Sequence, residues 1–193
     1  TRVSYTNDSE THTLTPRWTI GDRIFGIDDN GIRFDFTITE VLPDGTALFD
    51  TCGYRPDDAS TLHAIYFPGH SSDDLDDEDM LTVDLSAQDC TLDPSSPVLM
   101  LSSASVDAGQ VHFNFVHNCS IIGLEEISVS ANANITEAML GGVTRSGTVR
   151  IADGKAVFTP DNKTGMISAK GINIACDKSG KPTSPIYFPV FPT

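Results

Sequence analysis

The chain has 193 residues, 39% of them hydrophobic and 20% charged, with a formal net charge of −15. It is long enough to bury a sizeable core as one large domain, and too polar for a membrane-embedded bundle. All 12 Lys and Arg fall in 1–55 or 145–193, whereas 56–144 carries 15 Asp and Glu and neither Lys nor Arg; such a field repels phosphate backbones and anionic lipid and argues against nucleic acid or a bare membrane surface as partners.

The opening "TRVSYTNDS" lacks Met and reads as a mature or trimmed product. In "TRVSYT" Val3 and Tyr5 share one face, which suits an edge strand, and "NDSETHTLTP" at 7–16 reads as a polar, cleavable connection. Residues 17–42, "RWTIGDRIFGIDDNGIRFDFTITEVL", hold the only Trp. Here Gly21 suits a tight corner, Asp22 can accept from nearby backbone N–H groups, and Trp18 and Ile24 supply apolar faces on either side. A Trp exposed beside a turn would instead stack on sugar rings, with Tyr5 or Tyr54 as a second aromatic.

Ile32, Phe34, Phe36 and Ile38 then alternate with Arg33, Asp35, Thr37 and Thr39, the period of a half-buried strand. Pro43-Asp44-Gly45 turns the chain into "TALFD", and "LHAIYFP" at 62–68 is a third apolar run. The like charges of "SSDDLDDEDM" at 71–80 predict a solvated, mobile loop. As a calcium loop it lacks the Gly corner and the terminal bidentate Glu. "MLTVDLS" alternates again, and "QVHFNFVH" places Val111, Phe113, Phe115 and His117 on one face, with His117 expected as a core histidine satisfied by backbone. Only "NITEAMLGG" could pass for a short helix, ended by Gly141-Gly142. "SIIGLEEISVSA", "GTVRIA", "KAVFT", "GMISAKGINIAC" and "PIYFPVF" read as strands. Turn signals every ten or so residues predict an all-β sandwich of about seven or more strands.

Chemistry-bearing motifs are sparse. There is no GxSxG, P-loop, GxGxxG or HExxH. Asp28-Asp29, Asp57-Asp58 and Glu125-Glu126 are neighbours that diverge on a strand, so none is a ready acid/base pair. Cys52, Cys90, Cys119 and Cys176 lack zinc-type spacing and fit either two disulfides, in any of three connectivities, or buried free thiols. Sequons at Asn7, Asn118, Asn134 and Asn162 read as incidental. The expectation is a protein without cofactor, metal or catalytic role.

Four stretches taken in order carry a resemblance: "TRVSY" leading to "WTIGDRIFG", "ALFD" with "HAIYFPG", "VHFNFVHNCSII", and "PIYFPVFP". Together the chain resembles the fimbrillin-like surface proteins of Bacteroides-type bacteria. That resemblance implies a transthyretin-like, Greek-key type β-sandwich begun by the Trp18–Gly21–Asp22–Ile24 corner, with Phe115 and His117 as its F-x-H element. It also implies a lipoprotein precursor held at the outer membrane only through its lipid anchor, and a fimbrial or adhesive role at the cell surface. Its partners would be other fimbrial subunits, joined by strand exchange, and surface ligands of host or bacterium. Proteolysis after Arg2 or Arg17 would free a groove for the incoming strand. A second domain would begin near residue 190. The alternatives are a secreted glycan-binding module and a β-sandwich hydrolase.

Overall fold

A computed structural model describes residues 4–8, 13–55, 59–88, 98–124 and 127–192. In chain order the strands are β1 (Ser4–Asp8), β2 (Thr13–Arg17), β3 (Arg23–Asp28), β4 (Arg33–Val41), β5 (Ala47–Asp50), β6 (Thr61–Tyr66), β7 (Leu81–Asp84) and β8 (Ala87–Gln88). They continue as β9 (Met100–Asp107), β10 (Gln110–Val111), β11 (Val116–His117), β12 (Ser120–Leu124), β13 (Asn134–Thr144), β14 (Ser146–Ala152), β15 (Lys155–Pro160), β16 (Thr164–Ala175) and β17 (Ile186–Val190). One 3-10 turn, Ser72–Asp74, is the only helical element among the described residues. The fold is an all-β sandwich.

The first layer is a curled antiparallel sheet in the order β10-β9-β6-β3-β4-β5, with β11 also on β9. Its central strands are buried on both faces, which is why "RIFGID" and "TLHAIY" are solid apolar runs rather than alternating ones. Phe25, Ile65 and Leu101 face the main core with Leu81, Val83, Ile167 and Phe188. Ile24, Phe34, Phe36, Leu62 and Tyr66 face a second, smaller core inside the curl, roofed by Trp18, Phe49, Tyr54, Phe113 and Phe115. The close pairing of β3 with β6 requires Gly26, because a Cβ there would lie 1.9 Å from the His63 carbonyl oxygen.

The second layer is built on one long hairpin. β13 and β14 run out and β15 and β16 return, paired from Ala152↔Lys155 to Asn134↔Ala175 with register shifts at Gly141/Val143 and Ile135/Glu137. β7 pairs with β14, β8 runs parallel to β16, and β12 pairs with β17. Phe191 N–H donates to Thr144 O at 3.1 Å, tying the end of the β17 run to the end of β13.

Several expectations need correction. "NITEAMLGG" is not a helix but most of β13: its Ile135, Ala138 and Leu140 are drawn onto the main core by pairing with β16, which outweighs local helix propensity. The register slips between Gly141 and Val143, where Gly142 takes a φ of +76°. Ile32 begins the alternating run but is 56% exposed, since it precedes the paired part of β4; Phe34, Phe36 and Ile38 are buried as expected.

The acidic loop 71–80 is anchored rather than free. Arg33 donates to the Asp79 carboxylate at 2.8 Å and to the carbonyl oxygens of Leu75 (2.9 Å), Ser72 (3.3 Å) and Asp76. The Ser72 N–H donates to Asp35 Oδ1 at 3.1 Å, and the Ser72 hydroxyl also bonds Asp35. Asp76 Oδ1 accepts the N–H groups of Glu78 and Met80, each at 2.9 Å, and Leu75 is buried. One guanidinium from outside the base-free stretch thus offsets part of its repulsion.

The N-terminal strand is not an edge strand of the sandwich. β1 pairs with β2 in a separate two-stranded sheet, and β2 takes in residues 13–16 of what reads in the sequence as a connector. Arg17 ends β2 and is exposed, while Arg2 lies outside the described residues.

Candidate functional site

The Trp18 corner is built as its residues suggest. Gly21 has a φ of +90°, and its N–H donates to Ile38 O at 2.8 Å. The Asp22 N–H donates to Thr19 O at 2.9 Å, and the Thr19 N–H donates back to Asp22 Oδ2 at 2.8 Å. Asp22 is wholly buried, its Oδ1 has no hydrogen-bond partner, and burial pushes its carboxyl above the usual carboxylate range. Ile24 is buried in the smaller core.

Trp18 itself is half-buried. Three rings meet it edge-on, at centroid distances of 5.2 Å (Tyr66), 5.3 Å (Phe115) and 6.0 Å (Phe49). A hollow of about 260 Å³ lies beside it, lined by Pro16, Met100, Phe113, Phe115 and His117 among others. β10 and β11 keep one register along β9, so Val111, Phe113 and Phe115 do share a face and are half-buried there. His117 departs from expectation: it stands at the end of that row and is exposed, not a core histidine. Pairing lapses between β10 and β11, which lets Phe113 and Phe115 lean over the curl as part of its roof.

The cysteines do not gather into a site. Cys52 is exposed on a left-handed turn (φ +51°), Cys119 is half-buried against the main core, and Cys176 is buried; all three are free thiols. Cys119 Sγ accepts the Leu99 N–H at 3.4 Å, and burial pushes the thiol up to about 12, far from a reactive thiolate. Cys90 lies outside the described residues.

Sequence reasoning missed two features. The first is a cross-strand pair in which His63 Nδ1 lies 2.9 Å from Ser103 Oγ, with Ser103 Oγ also accepting the Ala156 N–H at 2.8 Å. A Ser–His contact near Asp28 and Asp29 invites a hydrolase reading. Yet the imidazole is buried and the serine oxygen is occupied by the backbone of β15, so the pair pins the second layer onto the first. Directly opposed positions on β6 and β9 were the only available signal.

The second feature is the free edge of β13. One side of this strand pairs with β16; on the other, Phe191 just beyond β17 bridges to Thr144, and no described residue pairs with 134–143. Beneath that edge Ile135, Ala138, Leu140 and Val143 pack on the main core but remain half-buried, as do Ile122 and Leu124 of β12. Among the described residues, a row of backbone N–H and C=O groups without a strand partner thus borders a half-buried apolar seam. Comparison with protein families, with curated proteins and with solved structures finds no match.

Proposed function

We propose that the protein is a structural or adhesive subunit of a bacterial cell surface that assembles by strand addition at the free edge of β13. The observation supporting this is that edge together with the half-buried row Ile135, Ala138, Leu140 and Val143 beside it. An incoming segment of about nine residues would extend roughly 30 Å, the length of the seam at a strand rise of about 3.3 Å per residue. Its backbone would satisfy the open groups, and its alternate apolar side chains would complete the cover. The surface location, the lipid anchor and the fimbrial partners rest on the fimbrillin-like motif order alone. Relative to that family scheme the acceptor edge moves from the first strand to β13. Cleavage after Arg17 would then remove only the β1–β2 hairpin and leave the sandwich folded.

A glycan-stacking role for Trp18 has less support, because three aromatic edges already crowd its ring. The test is hydrogen exchange with a nine-residue peptide alternating Ile or Val with Thr. Slowed exchange confined to 134–143 and the flanking β17 end is expected. A peptide with proline at every second position should not bind, since it lacks the N–H groups the edge requires. Absence of binding by any strand-forming peptide, or protection elsewhere in the sandwich, would overturn the proposal.

A further inference from the structure

Away from the β13 edge, a cleft of about 540 Å³ opens where the β3–β4 turn, the end of the acidic loop and the β14–β15 hairpin meet. That size suits a small ligand or a single inserted side chain. Asp28, Asp29, Glu78, Asp79 and Arg150 line it, and Ile27, Met80 and Ile151 supply apolar surface. Most of the carboxylates are already held in place. Asp28 accepts the Tyr54 hydroxyl at 2.6 Å and the N–H groups of Asn30 and Ile32; Asp29 bonds Ser60; Asp79 pairs with Arg33. Glu78 and Arg150 have no side-chain partner among the described residues.

His63 completes the lining from below. Its side chain is only 2% exposed, yet it borders the cleft. Nδ1 is committed to Ser103 Oγ, and Nε2 has no partner among the described residues. The two lone pairs of Ser103 Oγ can accept both the Ala156 N–H and an Nδ1–H. In that tautomer His63, one of the residues lining the cleft, keeps a free Nε2 lone pair. Among the described residues no three His, Cys, Asp or Glu side chains converge as metal ligands. The acceptors are spread around a larger volume, as suits a cation with several directional N–H donors.

We propose that this cleft receives the ammonium or guanidinium head of a lysine or arginine side chain from a partner polypeptide. The aliphatic stem lies along Ile27, Met80 and Ile151, and the head reaches Glu78, the Asp28–Asp29 pair and His63 Nε2. The charge of the chain favours such a partner: 56–144 contributes Glu78 and Asp79 and holds no Lys or Arg to compete. Arg150 is the one Lys or Arg among the described lining residues, and it weakens binding. The inference is independent of strand addition at β13.

The test is an NMR titration with N-acetyl-lysine methylamide, N-acetyl-arginine methylamide and, separately, calcium. Saturable shifts of amides at 28–31, 78–80 and 150–154 are expected with a capped residue. Glu78→Lys places a resident ammonium at the site and should abolish them, whereas Arg150→Ala should tighten binding roughly threefold or more. Both positions are exposed, and a melting curve for each variant checks that the fold is kept. No saturation with either capped residue, binding unchanged in Glu78→Lys, or weaker binding in Arg150→Ala would overturn the proposal, the last by showing that the cleft prefers an anion. Calcium saturating the same amides more tightly than lysine would overturn it in favour of a metal site.

Discussion

β6 of the first sheet and β13 of the long hairpin draw on similar apolar residues and use them differently. β6 buries every residue after its first, because one core lies on each side of the sheet. β13 is nearly twice as long, yet only its last residue is buried, and its core-facing side chains are half-covered. The first strand is locked between neighbours on both edges; the second has one neighbour among the described residues along most of its length. Stability is therefore expected to concentrate in the first sheet, and the capacity to accept a partner in the hairpin.

The same substitution made in both regions should separate them most sharply. Gly26→Ala puts a Cβ 1.9 Å from a carbonyl oxygen of β6, so the strands must part, at a cost of about 3 kcal/mol or more. Gly141→Ala on β13 meets nothing nearer than the Met166 side chain at 3.8 Å and should be neutral or stabilising by a few tenths of a kcal/mol. Urea denaturation of the two variants checks this. Comparable losses would mean that the hairpin is packed as tightly as the sheet.

A truncation pair sharpens the contrast. Phe25→Ala empties a fully buried site and should cost about 3–5 kcal/mol, whereas Leu140→Ala removes a half-covered side chain and should cost about 1–2 kcal/mol. The Leu140 penalty should grow in the presence of a bound strand peptide, since the lost contact then lies under cover. A full-sized loss in the free protein would show the seam to be closed already.

These contrasts also mark what the sequence could reveal. The Phe34, Phe36, Ile38 alternation and the Gly21-Asp22 corner depend on neighbours a few residues away, so period and turn chemistry suffice to read them. β13 is rich in Ala, Met, Leu and Glu, and only its pairing with a strand some thirty residues later makes it extended. The acidic loop looks free until Arg33, about forty residues upstream, is seen holding its carbonyls. An unpaired edge leaves no local signal at all, because it is defined by the strand that does not arrive.

The Arg33 anchor predicts a middle-sized effect. Arg33→Lys keeps the charge but loses the planar fork that reaches four acceptors at once, so about 1–2 kcal/mol of stability should go. Amide exchange at 76–80 should quicken, while the core strands β3 and β6 keep their protection. Unchanged exchange in the loop would mean that Asp76 and Ser72 hold it without Arg33.

The smallest effect is set by pH and again falls on the first sheet. Burial holds His63 below the ordinary histidine pKa, with Asp29 and Asp28 partly countering it, and partial desolvation of His117, where it lines the hollow beside Trp18, moves it the same way. As pH falls through about 6.5 the unfolded chain takes up these protons first, so stability drops until the folded-state values are passed. Asp22 works in the opposite direction. Its raised carboxyl pKa means the folded state binds a proton before the unfolded one does, so this residue adds stability as pH falls toward its unfolded value. Melting temperature at constant ionic strength should accordingly be lower at pH 5.5 than at pH 7.5, and His63→Gln should flatten that slope. A slope unchanged in His63→Gln would assign the loss to His117, and one that reverses would show the Asp22 contribution to be the larger.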